Sequence, residues 1–417
     1  MEKTLNEAIT LDEQDPLKGY RDRFHLPKQA NGKPYIYFCG NSLGLQPKSV
    51  EKYIKQELED WRNLGVKGHT EAKNPWMPYH EFLVGKMANI VGAKPIEVGV
   101  MNSLTTNLHL LMASFYRPTA DRYKILIESD AFPSDKYAVE SQLKFHGFEN
   151  GLLELTPRAG ETLIRHEDIE ATIGREGEQI ALILLGCPNY YTGQVFDMKH
   201  IAALGHEQGC VVGFDVAHGA GNLLLDLHET AIDFAVWCTY KYLNGGPGSV
   251  AGCFVHEKHA YQFDLPRLTG WWGHNKATRF GMRNDFDPLP GAEGWQLSNP
   301  PILSLAAILA SLDIFEEVGM ESLSEKSVKL TGYLEHLMNQ IHDDRIRIIT
   351  PANPVERGCQ LSIQVATEGR SLFEGISRDG VIADWREPDV IRVAPVPLYN
   401  SFEDVFDFVS ILKNRLK

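Results

Sequence analysis

From Ile96 onward, short apolar runs alternate with stretches of helical periodicity, and few folds accommodate that pattern. Val98–Met101, Tyr123–Glu128, Ile180–Leu185, Cys210–Asp215 and Phe234–Thr239 read as buried strands. Leu104–Phe115, Pro133–Gly147 and Lys199–Gln208 read as helices between them. Such alternation implies a mainly parallel sheet covered by helices on both faces, so the expected fold class is α/β. Ligands of such sheets bind outside the carboxyl ends of the strands. The residues just after each strand are therefore the candidates for function.

The chain has 417 residues, more than one hydrophobic core usually serves. Asn299-Pro300-Pro301 interrupts the alternation, and helices follow over Ile302–Glu317 and Ser322–Ile341. Strands Arg345–Ile349, Gln360–Val365 and Val390–Ala394, with helices Ser371–Arg378 and Phe402–Lys413, make a smaller α+β unit. Before the alternation come weak helical signals at Thr4–Asp12 and Pro16–Phe24, a strand at Tyr35–Phe38 and a helix over Ser49–Leu64. A loop, Gly65–Pro78, then carries His69 and Trp76. The expected division is a segment 1–60 packing on the small domain, a large domain 61–300 and a small C-terminal domain 301–417.

A net charge of −14 argues against nucleic-acid and anionic-membrane partners. No apolar run approaches the length of a membrane span. Cys39, Cys187, Cys210, Cys238, Cys253 and Cys359 are scattered and do not form a disulfide framework. The start, Met-Glu-Lys-Thr-Leu-Asn-Glu-Ala, is acidic and polar, unlike a signal peptide. A reducing cytoplasm is the expected location. His256-Glu257-Lys258-His259 has one residue too few between its histidines for the helical zinc motif. It reads as a solvated turn after a strand, and no metal is expected.

Four strand ends carry chemistry. After Phe234–Thr239 comes Tyr240-Lys241, then the bare turn Asn244 to Gly248. That puts an amine at a cleft edge, where desolvation favours the neutral nucleophile, although a surface lysine beside a loop would read the same way. Asp215 terminates an apolar run, where a carboxylate needs a backbone or cationic partner. Asn102-Ser103-Leu104-Thr105-Thr106 opens a helix with free N–H groups and hydroxyls, an anion site or a simple cap. Phe132-Pro133-Ser134-Asp135 offers a stacking aromatic and an acceptor, or only a capped helix start. Gly219-Ala220-Gly221 is a weak dinucleotide signal, because Leu224 stands where the third glycine would be. Together an anion cup, an aromatic, an aspartate and a lysine at the ends of strands in one sheet are what pyridoxal phosphate needs.

Longer stretches carry a resemblance. Gly40-Asn41-Ser42-Leu43-Gly44, Phe132-Pro133-Ser134-Asp135, Tyr191-Thr192-Gly193-Gln194 and Asp215-Val216-Ala217-His218 lie in the first part of the chain. Tyr240-Lys241-Tyr242-Leu243-Asn244, Gly270-Trp271-Trp272-Gly273-His274, Ser298-Asn299-Pro300-Pro301 and Arg392-Val393-Ala394-Pro395 follow. In these motifs and their order the chain resembles the kynureninases, pyridoxal-phosphate enzymes of fold type I. The resemblance implies a seven-stranded-type sheet and hydrolysis of kynurenine or 3-hydroxykynurenine to the anthranilate plus alanine, in tryptophan catabolism or NAD biosynthesis. It implies Lys241 as Schiff-base lysine, Asp215 near the ring nitrogen with His218 in support, Phe132 on the ring and Asp135 close by. Leu104, Thr105, Tyr240 and Trp271 would serve the phosphate, and Tyr240 is also a candidate proton relay. Arg392 would hold the substrate carboxylate, with Ser42 and Trp272 also at the substrate. A homodimer is implied, with Trp271 and Asn299 reaching across its interface. His69, Ser298 and Asn299 match the eukaryotic type and favour the 3-hydroxy substrate. One departure is Gly186, where the family usually offers a hydroxyl. The rival readings within the fold are a cysteine desulfurase, which needs a reactive mobile cysteine, and an aminotransferase. Cys359, at the start of a strand, reads as structural.

Overall fold

A computed structural model describes residues 2–417. After a short strand β1 (Ile36–Tyr37), seven strands make one sheet: β2 (Val98–Val100), β3 (Lys124–Glu128), β4 (Leu152–Leu155), β5 (Ile180–Gly186), β6 (Val211–Asp215), β7 (Phe234–Trp237) and β8 (Gly252–Val255). Their order across the sheet is β2-β8-β7-β6-β5-β3-β4. All neighbours from β4 to β7 pair in parallel, and β8 runs antiparallel to both β7 and β2. The expected α/β architecture, a mainly parallel sheet with helices packed on it, is thus the one observed. β4 lies outside the expected strands and is only half-buried, whereas β8, the strand before the His256–His259 turn, follows a glycine-rich turn without an intervening helix.

The sheet's register matters for function. Gly186 lies opposite Asp215, and Asp215 opposite Val236, so the carboxyl ends of β5, β6 and β7 are level. The central strands are buried along most of their length, as a sheet covered on both faces requires. At the opposite edge, Arg122 donates to Gly177 O, Ile180 O and Gln208 O at 2.8–2.9 Å, tying together the loops that enter β5 and β6.

Beyond this sheet come β9 (Ile346–Ile348), β10 (Leu361–Val365), β11 (Val381–Ile382), β12 (Asp384–Arg386) and β13 (Val390–Val393). β11 pairs in parallel with β1, and the other four form an antiparallel sheet in the order β12-β13-β10-β9. This sheet has its own core, built with the helices Met320–Asn339, Gly369–Arg378 and Phe402–Arg415. The helix Glu2–Gln14 packs on Phe402–Arg415, and Asp12 caps that helix by accepting from Phe402 N and Glu403 N at 2.8 and 3.0 Å. A buried Lys326–Asp15 pair at 2.7 Å fastens the same segment.

The helix Ile302–Val318 differs from the expected division. Leu305, Ile308, Leu312 and Phe315 belong to the core of the seven-stranded sheet. The Asn299-Pro300-Pro301 break redirects the chain without ending that core; the change of core falls within Met320–Asn339. The expected helix Pro16–Phe24 is a 3-10 turn, Lys18–Arg23. Among the described residues, no helix is long and apolar enough to cross a membrane.

Candidate active site

The cleft forms where the carboxyl ends of β2, β3, β5, β6 and β7 meet. Asp215 ends β6, is 7% exposed, and accepts from Ala217 N at 2.7 Å. Lys241 follows β7 and sets its Nζ 2.9 Å from His218 Nε2 and 5.7 Å from the centre of the Phe132 ring. Burial, then the charges of Lys241, Arg392 and Arg386, hold the His218 imidazole well below its ordinary range. As a neutral ring it accepts from the lysine amine through Nε2.

The backbone around the lysine is held from two sides. Asn244 takes φ 54° and Gly245 N donates to Thr239 O at 2.8 Å, so the chain doubles back just after Lys241. Gly44 N donates to Tyr240 O at 2.8 Å, and a Cβ on Gly44 would lie 2.3 Å from Lys241 O. Only glycine allows that approach. Tyr240 itself lines the cleft, and burial, then Cys238, raises its phenol above the ordinary range.

Two helices, Leu104–Phe115 and Pro133–His146, begin at the cleft, and Thr105 Oγ1 lies 3.0 Å from Ser134 Oγ. Free N–H groups and hydroxyls at paired helix starts make an anion cup. Phe132, 41% exposed, stands as a wall with its ring edge-on to Tyr190 at 5.3 Å. Asp135 is 6% exposed and its Oδ1 has no hydrogen-bond partner. Burial and the neighbouring Asp215 push its carboxyl well up, and burial raises Asp215 also. Two adjacent buried carboxyl groups need a shared proton or a cation. A phosphate, a flat ring and a protonated ring nitrogen would each find a partner here, so pyridoxal phosphate fits.

Arg392, on β13 of the small sheet, bonds the backbone of Tyr190, a residue that lines the cleft. It is 1% exposed, donates from Nη1 to Tyr190 O at 2.7 Å and from Nη2 to Asp384, and has its Nε unpartnered. Gln360 and Ser362 hold Tyr190 O and Tyr191 O from the same sheet. The loop after β5 thereby joins the two sheets.

Several expected residues lie elsewhere in this one chain. Ser42 is half-buried in the Gly40–Gly44 turn, its N–H on Cys39 O. His69 packs edge-on against Trp76 and bonds Val66 O through Nδ1 at 2.9 Å. Trp271 is 42% exposed and donates to Arg279 O at 3.2 Å. Trp272 is buried beneath the Arg279 guanidinium, 4.4 Å from the ring centre. Ser298 and Asn299 are exposed. Conversely, Glu128 and Tyr190 line the cleft without having been singled out. Glu128 carried the same signal as Asp215, a carboxylate ending an apolar strand. Tyr190 carried none beyond its place before Tyr191-Thr192-Gly193-Gln194.

Cys359 is fully buried, with its thiol pushed up to about 12 by burial, unlike the exposed thiolate a desulfurase requires. The His256–His259 stretch is a 3-10 turn after β8, as its spacing suggests. Two groups of potential ligands lie away from the cleft: Glu97 with His228 and His256, and His80 with Glu81 and Glu293. Protein donors already engage their carboxylates. Glu97 accepts from His228 Nδ1, Glu257 N and Lys94 N, and Glu293 from His80 Nε2 and Lys276 Nζ.

A seven-stranded, mainly parallel sheet that carries this lysine and aspartate at its carboxyl edge defines a fold type I pyridoxal-phosphate enzyme. Solved structures agree on the fold. The cystine C–S lyase C-DES superposes with a TM-score of 0.78 at 17% identity, covering 91% of this chain and 97% of that one. The cysteine desulfurase CsdA of Escherichia coli gives 0.77 at 15%, covering 95% and 98%. Sequence narrows the class. The chain is 58% identical over 408 residues to a kynureninase of Koribacter versatilis, covering 97% of this chain and 96% of that one. It is 55% identical to a kynureninase of Myxococcus xanthus, covering 98% and 97%. Residues 323–412 match the kynureninase C-terminal domain model. The chain belongs to the kynureninase family.

Proposed function

We propose that the protein hydrolyses the Cβ–Cγ bond of L-kynurenine and L-3-hydroxykynurenine, preferring the 3-hydroxy form. The products are anthranilate or 3-hydroxyanthranilate plus L-alanine, within tryptophan breakdown and the supply of NAD precursors. The observation that carries the reading is Lys241 Nζ beside His218 in the cleft that Asp215 also lines, in a chain more than half identical to kynureninases.

Pyridoxal phosphate, when bound, supplies an aldehyde that condenses with amines and a ring that withdraws electrons from the substrate Cα. Leu104 and Thr105 would hold its phosphate, with Tyr240 at the same end. Phe132 would stack on its ring, and Asp215, with Asp135 close by and His218 in support, would serve the ring nitrogen. Lys241 would hold the cofactor through its amine, and that amine, once free, would take the proton from the substrate Cα. The neutral His218 keeps that amine oriented. Arg392 takes the α-carboxylate with its guanidinium fork. Water adds at the γ-carbonyl, and Tyr240 moves a proton as the bond to the anthranilate breaks.

The substrate preference rests on His69, Ser298 and Asn299, polar groups suited to an aryl ring bearing a hydroxyl, with Ser42 and Trp272 also at the substrate. In one chain they stand apart from Lys241. A homodimer that brings His69, Trp271, Ser298 and Asn299 of one subunit to the cleft of the other accounts for their placement. The N-terminal segment and small sheet then act as one body carrying Arg392, against the larger cofactor-holding body.

Product identification from both substrates tests the reaction, and kcat/KM should be higher for 3-hydroxykynurenine. Equal or reversed ratios overturn the preference, and His69→Trp should erode it. Borohydride reduction followed by peptide mapping should find the cofactor on Lys241; attachment to another lysine overturns that assignment. Tyr240→Phe with unchanged turnover removes the proton-relay role.

A further inference from the structure

Glu128 has no task in the reading above, yet it lines the cleft. It ends β3, is 2% exposed, and stands near Asp215. Both its oxygens accept from Gly186 N, at 3.0 and 3.2 Å. A Cβ on Gly186 would lie 2.8 Å from Glu128 Oε1, so this carboxyl fills the room a side chain at position 186 would need.

The charges nearby do not balance it. Asp215 on β6 and Asp135 on the helix Pro133–His146 are buried carboxyl groups, and the neighbouring cation is Lys241. The Asn189 amide approaches from the loop after β5. The Cys187 thiol, pushed up to about 12 by burial, stays neutral, as does His218. Three buried carboxylates around one amine would be costly, so the cluster keeps protons at neutral pH. Burial, and then the Asp215 charge, push the Glu128 carboxyl up to about 7 against its backbone donors.

We propose that Glu128 is a positioning residue working as an uncharged carboxylic acid. Its carboxyl occupies the space a side chain at position 186 would take, and its neutrality leaves the cluster's negative charge to the Asp135–Asp215 pair. The proposal deepens the reading of the cleft as a pyridoxal-phosphate site and rests on it. It also explains the glycine: a larger residue at 186 and the acid at 128 exclude one another.

The test titrates pyridoxal phosphate into full-length wild type, Glu128→Gln, Glu128→Ala, Gly186→Ser and the Gly186→Ser/Glu128→Ala double variant, each stripped of cofactor. Glutamine keeps the shape and a donor without a charge, so Kd should stay within about threefold of wild type, whereas alanine weakens binding about tenfold or more. Gly186→Ser should also weaken binding, and the double variant should bind more tightly than either of its parents. A second readout is the thermal midpoint of the cofactor-free proteins against pH. A carboxyl raised in the folded state loses its relative stabilisation as pH rises from the unfolded to the folded value. Wild type should therefore fall against Glu128→Gln between about pH 4.5, its ordinary value, and about pH 7. Glutamine binding as poorly as alanine, or parallel melting profiles, overturns the proposal. If no variant binds pyridoxal phosphate, the reading of the cleft fails, and the melting profiles still decide the state of Glu128.

Discussion

Arg392 sits at 1% exposure between Tyr190 O and Asp384 with its Nε unpartnered. On the proposed reading Arg392 takes the substrate carboxylate, and lysine cannot reproduce its planar fork. Arg392→Lys should raise KM for kynurenine about tenfold or more, as steady-state rates at saturating cofactor will show. Gly44 acts on the same chemistry through the backbone. Gly44→Ala would press a methyl on Lys241 O and the Asn244 side chain, and should cost about 1–3 kcal/mol in denaturant unfolding. At this scale the types of the key residues were legible in the sequence and their partners were not. Lys241 and Asp215 could be chosen because each ends an apolar run. The His218 contact needed the turn after β6 to fold back toward β7, which no spacing rule specifies.

Elements place charges as well as side chains. Asp233 precedes β7, at the end of the sheet away from Lys241, and is 4% exposed. Burial pushes its carboxyl up. Hydrogen bonds from His206 and His259, and Lys258 at 2.8 Å, outweigh that and hold it far below the ordinary carboxylate range. A depressed carboxyl contributes stability above its unfolded value of roughly 4 and loses it as pH falls below that. Asp233→Asn should cost about 2–4 kcal/mol at pH 7, and the thermal midpoints of the two proteins should converge below about pH 4. The strands and long helices were legible from period and length. The half-buried β4 escaped because its edge position leaves a weak local pattern.

At the scale of the whole molecule, the N-terminal helix packs on the last helix of the small unit. Asp12 caps the C-terminal helix, and Lys326 pairs with Asp15 in a buried setting. Lys326→Met removes the cation and leaves Asp15 buried without its ammonium, so unfolding should become easier by about 3 kcal/mol, measured by denaturant melts. A cleft completed by a second copy also predicts complementation. Lys241→Ala and Asn299→Ala proteins, each impaired alone, should regain activity when mixed and allowed to exchange subunits. Activity no greater than the sum of the separate proteins would mean that Asn299 serves its own chain's cleft.

The sequence by itself determined the sheet, its helices and the residue types at the strand ends, because these depend on local periodicity, chain length and turn chemistry. Its motifs were also enough to resemble the right family. The tertiary structure decided which of those residues meet: Lys241 with His218, Gly44 against the lysine backbone, Arg392 against the loop after β5, and Glu128 in the space beside Gly186. It also assigned the helix Ile302–Val318 to the larger core, past a proline break that reads as a boundary. The reason is physical: a turn or strand end is written in neighbouring residues, whereas contacts between residues a hundred or more positions apart are settled only when the cores pack.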